Sequence, residues 1–178
     1  MQFCSTCGHP VVSRVPPGDT LPRHVCDACG TVHYQNPKLV AGCVVTADDG
    51  RYLICRRAIE PRHGFWTVPA GFMELGETAA EAARRETREE ALAEVDGLEL
   101  HCVIDVPHVS QVHLMYRARL SGMAFGVGAE TLEARLVPER DLPWDEIAFA
   151  SVRVALEHHV ADRARDRFEV RCITVGRR

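Results

Sequence analysis

The sequence has no run of about 18 apolar residues, which excludes a bilayer-spanning helix of the usual kind. Its start, MQFCSTCGHP, lacks the basic residues and apolar stretch of a secretory signal, so a cytoplasmic, reducing location is expected. A basic surplus is missing too: 21 Lys and Arg against 25 Asp and Glu leave a net charge of −4, a poor balance for coating nucleic acid or an anionic membrane. A small anionic substrate remains compatible, because a bound metal can supply local positive charge. There is no internal repeat or low-complexity tract. What remains is a chain of 178 residues, 46% hydrophobic, long enough for one substantial core and a small extra module.

The first segment, to about Gln35, is poor in large aliphatics and rich in Cys, Gly, Pro and His, and cannot build a core unaided. The texture changes at Asn36-Pro37, which places the division at 1–35 and 36–178. From there KLVAGCVVTADDGRYLICRRAI reads as a β-hairpin turning at Asp49-Gly50. Residues 77–94 lack Gly and Pro and are dense in Ala, Glu and Arg, which predicts a helix. Two strands follow in LELHCVIDVPHVSQVHLMYRARL, broken by a loop at Pro107 to Ser110. A Gly-rich loop GMAFGVGAE, a run LEARLVP, a second amphipathic helix over 147–162 and a last strand in RFEVRCITV complete the chain. Strands flank single helices without regular alternation, so the expected class is α+β, a mixed-sheet sandwich.

A reducing compartment makes a disulfide framework a poor account of eight cysteines. Cys4-x-x-Cys7 and Cys26-x-x-Cys29, each followed by a glycine (Gly8, Gly30), can present four thiolates from two tight turns and close a tetrahedral structural Zn²⁺ site. Redox dithiols are the alternative, but nothing around either pair reads as thioredoxin-like. A closed four-sulfur site folds its segment and leaves no open position for catalysis. His9, His24 and His33 lie nearby in sequence, although four cysteines already fill the site. Cys43, Cys55, Cys102 and Cys172 fall singly in strand-like runs and are expected to be buried small hydrophobes.

In the predicted helix, Glu81, Arg85 and Glu89 have the i,i+4 spacing of surface ion pairs, with Arg84, Arg85 and Arg88 on one face. Glu86 and Glu90 have no such basic neighbours. Like charges at i,i+4 cost a few tenths of a kcal/mol on an exposed helix. A divalent cation would turn that cost into a gain, and hard oxygen ligands suit Mg²⁺ or Mn²⁺. On charge placement alone, a solvated helix and a cation site both stand.

The frame around the helix favours the cation. Gly71, five residues, Glu77, seven residues and then Arg85-Glu86-Thr87-Arg88-Glu89-Glu90 resembles the Nudix box. Thr87 stands where an aliphatic is usual and Leu92 where a glycine is usual. With the ribbon and the segments LICRRAIEPRHGFWTVPAGFMELGET and DVPHVSQVHLMYRARL, the chain is similar to ribbon-bearing Nudix hydrolases related to the plant chloroplast FAD and ADP-ribose pyrophosphatases. The resemblance implies a Nudix α/β/α sandwich that hydrolyses a nucleoside diphosphate-linked substrate, FAD or ADP-ribose foremost, and releases AMP. NADH pyrophosphatases also carry a ribbon, but with SQPWPFPxS where this chain has DVPHVSQVHLMY, which sets NADH second.

By the same resemblance, Glu86, Glu90 and the Ala70 carbonyl would hold Mg²⁺ or Mn²⁺. Glu89 would be a further ligand or handle the attacking water, and Arg85 would fix the glutamates. Glu77 would be structural, and a later acid, Glu130 before Glu133, would complete the site. Gly71 would let the backbone close on the diphosphate. Arg56, Arg57, His108 and Gln111 are substrate-binding candidates, while Phe65 and Trp66 are expected in the core. The expected partner is a small dinucleotide or nucleotide sugar, with neither nucleic acid nor membrane, and the resemblance allows a homodimer. The rival from another class is a ribbon that binds nucleic acid or protein beside a decayed box. Few basic residues in the ribbon and intact glutamates speak against it.

Overall fold

A computed structural model describes residues 1–176 of the chain. It divides into two compact units, Met1–Pro37 and Lys38–Arg178. In the first, strands β1 (Val12–Arg14), β2 (Arg23–Val25) and β3 (Val32–His33) form an antiparallel sheet in the order β1-β2-β3. Both CxxC turns are built alike. The Gly8 N–H donates to the Cys4 carbonyl at 2.9 Å and the Gly30 N–H to that of Cys26 at 2.8 Å, with φ of 76° and 74°. Such positive angles are open to glycine without a Cβ clash.

These turns bring the sulfurs of Cys4, Cys7, Cys26 and Cys29 within 4.8 Å of one another. Cys7 and Cys26 are 3.5 Å apart, and Cys4 and Cys29 3.7 Å. A tetrahedron with Zn–S bonds of about 2.3 Å has edges of about 3.8 Å, so the four residues fit a zinc ion. His33 does not displace a cysteine; its Nε2 lies 3.2 Å from the Cys4 sulfur, where an N–H would support the thiolate.

The second unit is built on an eight-stranded mixed sheet. Strands β4 (Lys38–Thr46), β5 (Tyr52–Arg57), β6 (Trp66–Thr67), β7 (Ala70–Phe72), β8 (Val95–Val106), β9 (Gln111–Leu120), β10 (Thr131–Val137) and β11 (Arg171–Thr174) contribute to it. The order is β10-β5-β4-β9-β8-β11, with β6 added to β5 and β7 to β4. The β4–β9 and β8–β11 pairs are parallel and the others antiparallel. Alternation along β4 sends Ala41, Cys43 and Val45 to one face, where they pack with Ala82, Ala83 and Ala91 of helix α1 (Ala79–Ala91). Val44 goes to the other face with Val152, Ala155 and Leu156 of helix α2 (Ala150–Arg165). The result is the expected α/β/α sandwich.

The predicted hairpin forms, but its two strands pair only at Val45↔Leu53 and Thr46↔Tyr52. Beyond that they part. β5 takes β6 as partner, β4 takes β7 through Gly42↔Ala70 and Val40↔Phe72, and Cys43 N–H bonds the Pro69 carbonyl at 3.0 Å. The split sets the Pro69–Phe72 backbone beside α1.

Helix α1 is shorter than the expected 77–94. Thr78 is its N-cap, with a reciprocal capping box to Glu81, which leaves Glu77 outside the helix. It ends at Leu92, left-handed at φ 48°, whose N–H reaches the Arg88 carbonyl at 3.0 Å. This is the exit where glycine is favoured. Because Glu81 is committed to the cap, the expected Glu81–Arg85 pair does not form. Helix α2 begins three residues later than expected, after Phe149. Near its end the buried Asp162 takes a bidentate pair from Arg171 at 2.6 Å, fastening β11. Cys43, Cys55 and Cys102 are buried as expected, but Cys172 is exposed, since β11 is an edge strand with one face on the core. No helix among the described residues is long and apolar enough to cross a membrane.

Candidate active site

Glu86 and Glu90 stand one turn apart on α1 and are both buried, at 8% and 6% exposure, whereas Glu89 faces solvent. Two like charges in such a place need partners. The Glu90 carboxylate accepts the Ala70 N–H at 3.2 Å. Arg85 does not join Arg84 and Arg88 on the outer face but turns into the cluster. Its Nη1 donates to Glu86 at 2.7 Å and to Glu89 at 3.0 Å, its Nη2 to Glu77 at 2.7 Å and the Phe72 carbonyl at 3.0 Å, and its Nε to Glu77 at 3.0 Å. All the donors of the guanidinium are thereby used. Glu77, outside the helix, thus anchors the arginine, and the Arg85 hydrogen bonds hold its carboxyl down at about 2.

Burial pushes Glu90 up to about 8, against the pull of the Ala70 N–H; the charges of Glu86 and Glu130 add to the rise and that of Arg57 opposes it. Glu86 is raised by burial as well, with Arg85 opposing and Glu89 and Glu130 adding. Glu86 and Glu90 thus both feel Glu130 across the same space. Among the described residues, only the four cysteines bring three or more potential ligand atoms within 4.8 Å of one another, and the glutamates do not. Mg²⁺ keeps several of its waters and does not need so tight a cage.

The backbone leaves no slack around these groups. A Cβ on Gly71 would lie 2.3 Å from the carboxyl carbon and both oxygens of Glu86. A Cβ on Gly128 would lie 1.7 Å from the Glu89 carbonyl oxygen. Gly126 and Gly128 donate their N–H groups to the carbonyls of Ala91 at 2.6 Å and Glu90 at 3.0 Å. The Gly-rich loop therefore caps the C-terminus of α1 and carries Glu130 into the site. Gly71→Ala is expected to keep the fold, displace Glu86 and lower metal-dependent turnover about 100-fold, as a shift near 1 Å can do. Thermal melting alongside initial rates checks both halves of that outcome.

The site opens into a cavity of about 720 Å³ lined by Glu86, Glu89, Glu90 and Glu130 together with Arg57, Phe72, Gln111, His113 and Phe149. Of the substrate-binding candidates, Arg57, Gly71 and Gln111 are there, and Arg56 and His108 are not. Strand alternation turns Arg56 away, its Nε on the Gly64 carbonyl at 2.8 Å, beside a different cavity that also takes Glu133. Arg57 bonds the Pro61 carbonyl at 2.9 Å and lies 5.0 Å over the Phe149 ring. His108 sits exposed in the Pro107–Val109 turn. Trp66 is in the core and Phe65 half-buried under Arg62. Sequence reasoning missed His113, although the i,i+2 spacing of Gln111, His113 and Met115 along β9 was a usable signal. For Phe72 and Phe149 no local signal exists, since the sheet split and the start of α2 bring them in.

Residues 36–156 match the family model described as the NUDIX domain, and residues 2–35 match the one described as Nudix N-terminal, a zinc ribbon. The chain belongs to the Nudix hydrolase family. The Gly71–Glu90 segment that resembles the Nudix box lies within the matched range, as the loop and helix described above. A crystal structure of a NUDIX hydrolase from Nitrosomonas europaea is similar at 44% identity, with a TM-score of 0.95 over 99% of this chain and 100% of that one. The NAD-capped RNA hydrolase NudC of Chromobacterium violaceum is 36% identical over 97 residues, 54% of this chain and 34% of that protein. NudC of Salmonella paratyphi C is 29% identical over 146 residues, 80% of this chain and 53% of that protein. The Nudix chain thus spans from about a third to about half the length of these curated relatives.

Proposed function

We propose that the chain hydrolyses the pyrophosphate link of a dinucleotide, with NADH or NAD as the leading substrate and release of AMP. The observation that carries the hydrolase reading is the buried Glu86–Glu90 pair under Gly71, two carboxyls whose ionisation burial opposes and a bound cation would favour. The names of the NudC relatives put NAD ahead of FAD and ADP-ribose, the order opposite to that expected from DVPHVSQVHLMY. They also name RNA, so an NAD cap on RNA enters as a substrate form, against the expectation drawn from charge. FAD and ADP-ribose form the second reading, carried by the absence of SQPWPFPxS from this sequence.

In the proposed site Glu86, Glu90, Glu130 and the Ala70 carbonyl would hold Mg²⁺ or Mn²⁺. Such an ion, when bound, lowers the pKa of a bound water and stabilises charge on the leaving phosphate. Arg85 fixes the rotamers of Glu86 and Glu89. Glu89, solvent-facing and bonded to Arg85, would orient the attacking water. Water adds to one phosphorus, the bridging oxygen leaves with the other, and two monophosphates result. Arg57 and Gln111 would meet the substrate from the cavity wall, and zinc on the four cysteines would have a structural task only.

A panel of NADH, NAD, NAD-capped RNA, FAD and ADP-ribose, assayed for kcat/KM with Mg²⁺ and with Mn²⁺, tests the reading. NADH or NAD, free or capping RNA, should lead. A lead of tenfold or more for FAD or ADP-ribose reverses the substrate order, and turnover of none removes the hydrolase reading.

A further inference from the structure

His113 is assigned no role in the catalytic scheme, yet the sheet register gives it a defined place. On β7, β4 and β9 the residues Phe72, Val40 and His113 are aligned across the strands, because Phe72 pairs with Val40 and Val40 with His113. All three line the active-site cavity. Strands lie about 4.8 Å apart, so Phe72 and His113 flank Val40 at a separation of about 10 Å. The next row inward is Ala70, Gly42 and Met115, displaced by two residues or about 7 Å. The first of these bears the carbonyl proposed to face the metal. The apolar Val40, with an aromatic ring on one side and an imidazole on the other, thus adjoins the proposed metal-binding end.

The hydrogen bonding of His113 fixes what it can recognise. Its Nε2 lies 2.9 Å from Gln111 Oε1, its one side-chain hydrogen bond among the described residues. A carboxamide oxygen only accepts, so Nε2 carries the proton. Burial lowers the His113 pKa below the ordinary histidine value, which keeps the ring neutral near pH 7. Nδ1 is then a lone-pair acceptor on the wall of the cavity. Nearby, Lys38 lies over the Phe72 ring at 4.9 Å.

We propose that His113 Nδ1 accepts a hydrogen bond from the NH₂ group of a substrate ring laid over Val40 between Phe72 and His113. The residue is thereby a specificity determinant of the dinucleotide reaction, and the inference rests on the hydrolase reading. An aromatic amine (adenine) and a ring carboxamide (nicotinamide) share this chemistry. Three substrates separate them: NADH, its analogue with hypoxanthine in place of adenine, and ADP-ribose, which has no nicotinamide.

His113→Phe should lower kcat/KM for NADH about 10- to 100-fold, mainly through KM, because the contact is made equally in ground and transition states. His113→Gln, which keeps an acceptor, should recover most of the loss. If adenine is the ring read, the hypoxanthine analogue should be indifferent to His113→Phe; if nicotinamide is, ADP-ribose should be. Wild-type protein carries the same test without any variant, since it should favour NADH by a similar factor over whichever analogue lacks the amine. An equal loss on all three substrates, or no loss, overturns the assignment of His113 and leaves the hydrolase reading standing. Failure of the wild type to hydrolyse any of the three removes the hydrolase reading, and this inference with it.

Discussion

Glu90→Gln should abolish turnover, with a fall of about a thousandfold at saturating Mg²⁺, while the protein without added Mg²⁺ becomes more stable at pH 8. The first effect follows from removing a proposed ligand and with it much of the charge stabilisation at the cleaved bond. The second follows from burial. Glu90 is pushed up to about 8 from the ordinary glutamate value of 4.5. Below about pH 4.5 the group is protonated folded or unfolded and contributes nothing. Between 4.5 and 8 the folded state holds a proton that the unfolded state has released, so stability falls as pH rises. Above 8 the penalty is complete and constant. Glu86, raised in the same direction, adds to the slope. The full penalty for Glu90 is about 5 kcal/mol, or on the order of 10–20 °C in Tm.

Wild-type protein without added Mg²⁺ should therefore lose Tm from pH 5 to pH 8, and Glu90→Gln should flatten the curve. Adding Mg²⁺ should restore the wild type at pH 8 and leave the variant unmoved. The amide can still accept the Ala70 N–H, so the fold has no reason to suffer. Wild-type turnover by Glu90→Gln would sink the ligand assignment, and a pH-independent Tm in the wild type would contradict its buried, raised carboxyl.

Removal of zinc should unfold the first unit outright. Within Met1–Pro37 only Cys4, Pro16, Val25 and Cys26 are buried, too little apolar surface for a segment of that size to fold alone. Zinc binding to comparable small domains supplies about 10–16 kcal/mol of apparent free energy, and that is their folding energy. Treatment with a strong chelator, or Cys26→Ser, should erase amide hydrogen-exchange protection in residues 1–37 and expose Arg14 and Arg23 to trypsin. The second unit, with two apolar clusters of its own, should keep its protection. Persistent protection of the Gly8 and Gly30 amides after stoichiometric zinc loss would refute a metal-built ribbon.

Local patterns made much of this legible. Two CxxC pairs with a glycine after each specify a knuckle in a few residues, and every part of that signal is sequence-local. The box is similar, because Gly71, Glu77, Arg85, Glu86 and Glu90 owe their meeting to helical spacing and one loop. What could not be read is whatever tertiary pairing decides. Charge spacing suggested Arg85 with Glu81, but the capping box at Thr78 and the free Glu77 outcompeted that pair. Arg56 and Arg57 look equivalent in sequence, and only the facing of β5 separates them. His108 looked exposed to a pocket that in fact begins at Gln111, since the turn at Pro107 to Val109 points out. Cys172 reads as core until the edge position of its strand is known.

The loop that caps α1 ties two motions into one. The N–H groups of Gly126 and Gly128 hold the carbonyls of Ala91 and Glu90, and Glu130 follows two residues later. Fraying of the helix's last turn and withdrawal of the loop are therefore a single event, which would slacken Glu90 and carry off Glu130 together. Two glycine amides, in a spectral region few other residues occupy, become native reporters of how often the carboxylates proposed to hold the metal come apart.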